Sequence, residues 1–174
     1  MTIEVHDYDP RWPGYARSAV EELAAAVPGL FAVVEHVGST AIPGLAAKPV
    51  IDLMAGTAAL GPVVAVEEEL RRLGYQRLET GMRERLFYRR DGEPAYHLHV
   101  VTAGTWDTRN ERLLRDHLLR HPEDRDAYGA LKRRLAAAGP DGAAYTRAKT
   151  DLIQRMVDAA RDRLGLPRVD VWED

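Results

Sequence analysis

Apolar positions follow two different periods along this chain. From 15 to 27 they fall at Tyr15, Ala19, Leu23, Ala26 and Val27, a helical spacing that Pro28 and Gly29 end. Residues 31–37 are short and β-branched, which predicts a first strand. The GSTAIPGLAAK stretch after it carries Gly38, Pro43 and Gly44 and reads as a shaped loop with one helical turn. A second strand is predicted over 50–54. Residues 62–73 return to helical spacing, with Gly74 where a left-handed cap would fall.

Three further strands are predicted over 75–79, 84–90 and 95–101, the last two joined by Asp91-Gly92, a hairpin-turn pair. Beyond Trp106 the pattern is helical throughout. It predicts helices over 108–120, 123–138 and 141–164, closed by His121-Pro122, Gly139-Pro140 and Gly165. The expected class is α+β, or mixed α/β. It is expected to form one domain over 1–174, with a sheet core over about 30–101 that mixes parallel and antiparallel pairs. The helices of about 107–165 are expected to form a layer packed on that sheet.

Composition narrows the chemistry. The chain has no cysteine, which excludes disulfides, zinc–thiolate sites and thiol catalysis. A formal charge of -3 gives no global pull towards nucleic acid. The start MTIEVHDYDP lacks a basic, apolar leader and no apolar run approaches the roughly 20 residues of a membrane span, so a soluble cytoplasmic protein is expected.

Asp52 lies in the run Pro49-Val50-Ile51-Asp52-Leu53-Met54, sharing a strand face with Val50 and Met54. A carboxylate there must be paired, hydrogen-bonded, metal-bound or protonated, although capping the next loop would also explain it. In YHLHVV, His97 and His99 share one face of a strand, a placement that could chelate a metal. The downstream Asp-His of metallohydrolase motifs is missing, and simple hydrogen bonding is the plainer role.

Gly38, Ser39 and Thr40 follow a strand directly, so their amides and hydroxyls suit an anion, with Lys48 close enough in sequence to reach it. The chain has neither a P-loop nor a GxGxxG motif. On the later helices, Arg112, Arg115 and Leu119 follow i, i+3, i+7 spacing, and Tyr145 and Lys149 are an i, i+4 pair. Both sets suit a cleft or an ordinary solvated face.

In order, the segments YDPRWP, EHVGSTAIPGLAAKPVIDLM, YHLHVV, RDHLLRHPEDRDAYGALKRRLA and AYTRAK run from Tyr8 to Lys149. This set resembles the GrpB family of the nucleotidyltransferase superfamily. The resemblance implies a mixed sheet flanked by helices, with a Gly-Ser loop after the first strand and a carboxylate on the second. In active members of the superfamily that loop holds nucleotide phosphates. An Asp-x-Asp or Asp-x-Glu pair with a third acid binds two divalent metals. By this resemblance Gly38 and Ser39 form the loop and Asp52 is the first carboxylate.

Two departures follow. The second carboxylate position holds Met54, and the later strand offers His97 and His99 instead of an acid. Two hard cations about 3.5–4 Å apart need more anionic ligands than that. The expectation is therefore one divalent ion (Mg, Mn or Zn) on Asp52 and His99, with or without His97. Asp52, His97 and His99 are the expected catalytic residues. Gly38, Ser39, Thr40, Lys48, Arg115 and Lys149 are the expected phosphate or nucleotide contacts.

The expected ligand is a nucleoside triphosphate or a phosphorylated metabolite, held in a cleft of the Gly-Ser loop, Asp52 and the His-x-His strand. Group transfer, nucleotide or coenzyme-fragment binding without turnover, and acid–base chemistry by the histidines all remain open. A nucleic-acid acceptor is not expected, because no aromatic-interleaved basic run occurs.

Overall fold

The computed structural model describes residues 3–139 and 141–171, and the chain forms two compact units. A sheet unit comprises residues 10–37 and 50–107. A helical unit comprises the segment up to Asp9, residues 38–49 and the chain from Thr108 onward.

In the sheet unit, α1 (Trp12–Ala26) precedes β1 (Val33–Val37), β2 (Val50–Thr57), the short helices α2 (Gly61–Ala65) and α3 (Glu67–Arg72), β3 (Gln76–Arg77), β4 (Arg85–Arg90) and β5 (Ala95–Thr102). The strand order is β1-β2-β5-β4-β3. Among the described residues the central β2–β5 pair is parallel and the other three strand pairs are antiparallel. The expected mixed α+β class with helices flanking the sheet is observed.

Alternation assigns the two faces. Ile51, Leu53, Leu98 and Val100 point to one face and are fully buried there. Arg90 also lies on that face. It reaches Glu22 of α1 at 2.8 Å and stacks 3.9 Å above the Tyr96 ring. The opposite face carries Asp52, Met54, His97 and His99. At one end Met54, Val37, Val101 and Trp106 close over it as an apolar cluster.

Three predicted boundaries move. The helix expected over 62–73 is two helices broken at Val66, whose N–H bonds back three residues to Val63 O at 3.1 Å. Valines at 63, 64 and 66 crowd the preceding turn and lower helix propensity there, while Val63 and Leu70 are each fully buried. The strand expected over 75–79 pairs only at Gln76–Arg77. β2 runs on to Thr57 because Ala55 and Gly56 let Val33 and Trp106 approach its end; a Cβ on Gly56 would lie 2.9 Å from Val33 Cγ1.

In the helical unit, a 3-10 turn Ser39–Ala41 is followed by α4 (Asn110–Arg120), α5 (Pro122–Ala138) and α6 (Gly142–Arg163). Asp141 caps α6 by accepting from Ala144 N at 2.7 Å. Pro140, half of the predicted Gly-Pro stop, lies outside the described residues. The core joins Ile42 and Leu45 of the loop to Leu118, Tyr128, Ile153 and Val157 of the helices. No helix among the described residues is long and apolar enough to cross a membrane.

Candidate functional site

The parallel pairing of β2 with β5 sets Asp52 opposite His97 and Met54 opposite His99. All four therefore share one face, and both rings converge on a single carboxylate oxygen. His97 Nδ1 lies 3.2 Å and His99 Nε2 3.6 Å from Asp52 Oδ1. The three side chains are 18–30% exposed, so solvent reaches them. Each offers one ligand atom, and those atoms all lie within 4.8 Å of one another.

Electrostatics at Asp52 oppose one another. Burial is the largest effect and pushes its carboxyl up. Hydrogen bonds from His97 and His99, and then their charges, pull the other way and prevail, holding the group well below its ordinary value of 3.8. The carboxylate stays ionised. Two imidazoles thus compensate a charge that the Met54 position leaves single.

β4 supplies the neighbouring wall. Phe87 pairs with His99 in register, and its ring centroid lies 4.9 Å from His99 and 5.1 Å from His97. Arg85, buried, brings Nη1 to within 3.5 Å of His99 Nδ1. A guanidinium only donates, so this contact offers Nδ1 the accepting role while Nε2 faces Asp52.

One carboxylate and two imidazoles fit a single borderline cation better than magnesium. Ligation through His99 Nε2 would place the ring proton on Nδ1, against Arg85, so Arg85 would have to turn aside. The wider hollow of the sheet unit, about 380 Å³ between α1 and β1, includes Val34 and His36 on the face opposite Asp52.

The helical unit builds a second polar corner. Gly38 has φ +74°, a conformation that favours glycine, and it turns the chain into Ser39–Ala41. Lys132 of α5 donates to Ser39 Oγ at 2.8 Å, and its ammonium lies 4.4 Å from the centre of the Tyr128 ring. Lys132 and Thr40 are both buried. Arg125, Gly129 and Lys132 form one stripe of α5 along the loop: Arg125 reaches Pro43 O at 3.5 Å, and Gly129 leaves room for Leu45.

Of the expected contacts, Lys48 is exposed, Arg115 pairs with Asp116 at 3.0 Å, and Lys149 lies 4.4 Å from the centre of the Tyr145 ring. Lys132, Arg85 and Phe87 were not singled out from sequence. The alternation Arg85-x-Phe87-x-Arg89 and the i, i+4 spacing of Tyr128 and Lys132 were the available signals.

A family model described as GrpB protein matches residues 2–159. The chain belongs to the GrpB family. It is 36% identical over 167 residues to a UPF0157 protein of Pseudomonas aeruginosa, covering 91% of this chain and 67% of that one. A UPF0157 protein of Streptomyces coelicolor is 33% identical over 173 residues, covering 97% and 87%. A dephospho-CoA kinase of Mycolicibacterium paratuberculosis matches at 42% over 74 residues, which is 41% of this chain and 18% of that one.

Among solved structures, the GrpB protein of Enterococcus faecalis superposes with a TM-score of 0.85 at 28% identity, over 93% of this chain and 99% of that one. A chain of the GLD-2/RNP-8 complex superposes at 0.55 with 13% identity, over 90% and 61%, a likeness of fold alone. The fold is thus that of the GrpB family, a mixed sheet flanked by helices.

Proposed function

We propose that this GrpB chain binds a nucleotide or a phosphorylated metabolite, and that Asp52, His97 and His99 hold a single divalent ion that takes part in group transfer. The observation that carries this reading is the convergence of both imidazoles on Asp52 Oδ1. When bound, such an ion would act as a Lewis acid towards a phosphoryl or carboxylate oxygen.

Asp52 supplies the anionic ligand and stays ionised under all ordinary conditions. His97 and His99 supply ring nitrogens, and the Phe87 ring packs beside both. Lys132 supports the phosphate reading independently: a buried ammonium on Ser39 Oγ is suited to an anion at the Gly-Ser turn. Gly38, Thr40, Lys48, Arg115 and Lys149 belong to the same proposal as phosphate contacts.

The match to a dephospho-CoA kinase favours a second reading of the ligand, as a nucleotide-bearing coenzyme precursor. A thermal-shift panel separates the two. Nucleoside triphosphates, dephospho-CoA and CoA are each tested with Mg, Mn or Zn and with chelator, on wild type and Asp52→Ala. The metal-assisted reading expects stabilisation that requires both the ion and Asp52. Stabilisation that survives chelator and Asp52→Ala sinks the metal part, and no stabilisation by any ligand sinks both.

A further inference from the structure

Beside the Asp52 cluster, the sheet unit has a small hollow of about 120 Å³. Arg85 and Phe87 line it, and these same two side chains touch His99. The hollow and the cluster are therefore neighbours across one wall. Its volume is well below the roughly 300–1,000 Å³ of pockets that enclose whole ligands, so it suits one chemical group rather than a nucleotide.

Its lining specifies the group. Of its lining guanidiniums, Arg77 is held by Glu67 at 3.1 Å and Glu79 at 2.7 Å, and Arg85 turns Nη1 to His99 Nδ1 at 3.5 Å. Arg83 is exposed and makes no ion pair among the described residues. The exposed Arg83 guanidinium at the edge of the hollow suits an anion, and its planar fork favours phosphate or carboxylate oxygens. Leu78 and Met82 also line the hollow while remaining 43% and 37% exposed, so each offers apolar surface beside its polar lining.

We propose that this hollow is the seat of the acceptor: a small molecule with an anionic head, phosphate or carboxylate, and a short apolar stem. Arg83 grips the head, Leu78 and Met82 cover the stem, and the remainder of the molecule extends past Phe87 towards Asp52, His97 and His99. The inference rests on those three residues being the reacting centre. It deepens that reading by giving the acceptor a chemical class.

The test titrates butyl phosphate and butyrate into the full chain carrying ¹³C-methyl methionine, followed by NMR. Met82 lies in the hollow, whereas Met54 and Met156 are buried elsewhere. The expected result is roughly millimolar binding of at least one probe, read as a shift of the Met82 methyl. Arg83→Gln should weaken it about tenfold, and Arg83→Lys should restore part of the loss. Arg83 is exposed, so these variants should fold.

Asp52→Ala should leave probe binding unchanged while abolishing metal-dependent nucleotide stabilisation. Failure of the nucleotide panel is thereby distinguished from failure of this site. Absence of binding by both probes, a Met82 methyl that does not respond, or an affinity unchanged in Arg83→Gln would each overturn the proposal.

Discussion

His117→Phe tests how the helical unit is held together. His117 lies on α4 with a side chain only 2% exposed. Its Nε2–H donates to Asp124 Oδ2 of α5 at 2.6 Å, and Arg163 of α6 donates to its Nδ1 at 2.9 Å. One neutral imidazole thus ties three helices, and its ring stacks on His121 with centroids 4.2 Å apart. Phenylalanine preserves the volume and the stacking while deleting both polar contacts.

Asp124 and Arg163 both reach water and can rehydrate, so the loss is that of two charge-assisted bonds, about 1–3 kcal/mol at pH 8. Burial, foremost, and the nearby His121 and Arg163 charges hold the His117 pKa below its ordinary 6.5, against the raising effect of Asp124. The unfolded chain therefore takes up a proton first as pH falls. His117 stabilises the fold fully above 6.5, and this contribution declines below it by at most about 1.4 kcal/mol per pH unit.

Urea denaturation of wild type and variant at pH 8 and pH 5.5 reads both effects. The destabilisation by His117→Phe should be larger at pH 8. A difference that is absent at pH 8, or that grows on acidification, would refute the assignment of a neutral, Nε2-protonated ring.

Asp52→Asn should cost on the order of 1–3 kcal/mol at pH 7 in urea melts. Because the folded-state pKa of Asp52 is depressed, its contribution is present above about 3.8 and lost as pH falls further, so the two curves should converge in acid. Lys132→Met should change stability by less than about 1.5 kcal/mol, since it removes a buried charge at similar volume, yet weaken triphosphate binding at least tenfold by calorimetry. Gly56→Ala should cost about 1–3 kcal/mol in the same melts, as its Cβ meets Val33 at 2.9 Å and Trp106 at 3.1 Å.

The strand residues of the site were legible because period-two alternation is local: Asp52 shares a face with Met54, and His97 with His99, whatever the fold. Which strands become neighbours is decided by hydrogen bonding between distant segments, so the opposition of Asp52 and His97 came from the family resemblance rather than from spacing. Lys132 was missed for the same reason, as its partner Ser39 lies 93 residues away. The break at Val66 was missed because helical periodicity outweighs three crowded valines in a sequence window.

The register of β2 against β5 has a consequence for engineering. Asp52 and His97 are joined by a long excursion through α2, α3, β3 and β4, yet their separation is fixed by the ladder and not by that excursion. Lengthening the connection near Ala58 or Ala59 should leave the ion-pair geometry intact. Inserting a single residue between Ala95 and His97 would turn both imidazoles to the other side of the sheet. Tolerance to insertion along this chain should therefore follow strand boundaries rather than distance from the carboxylate.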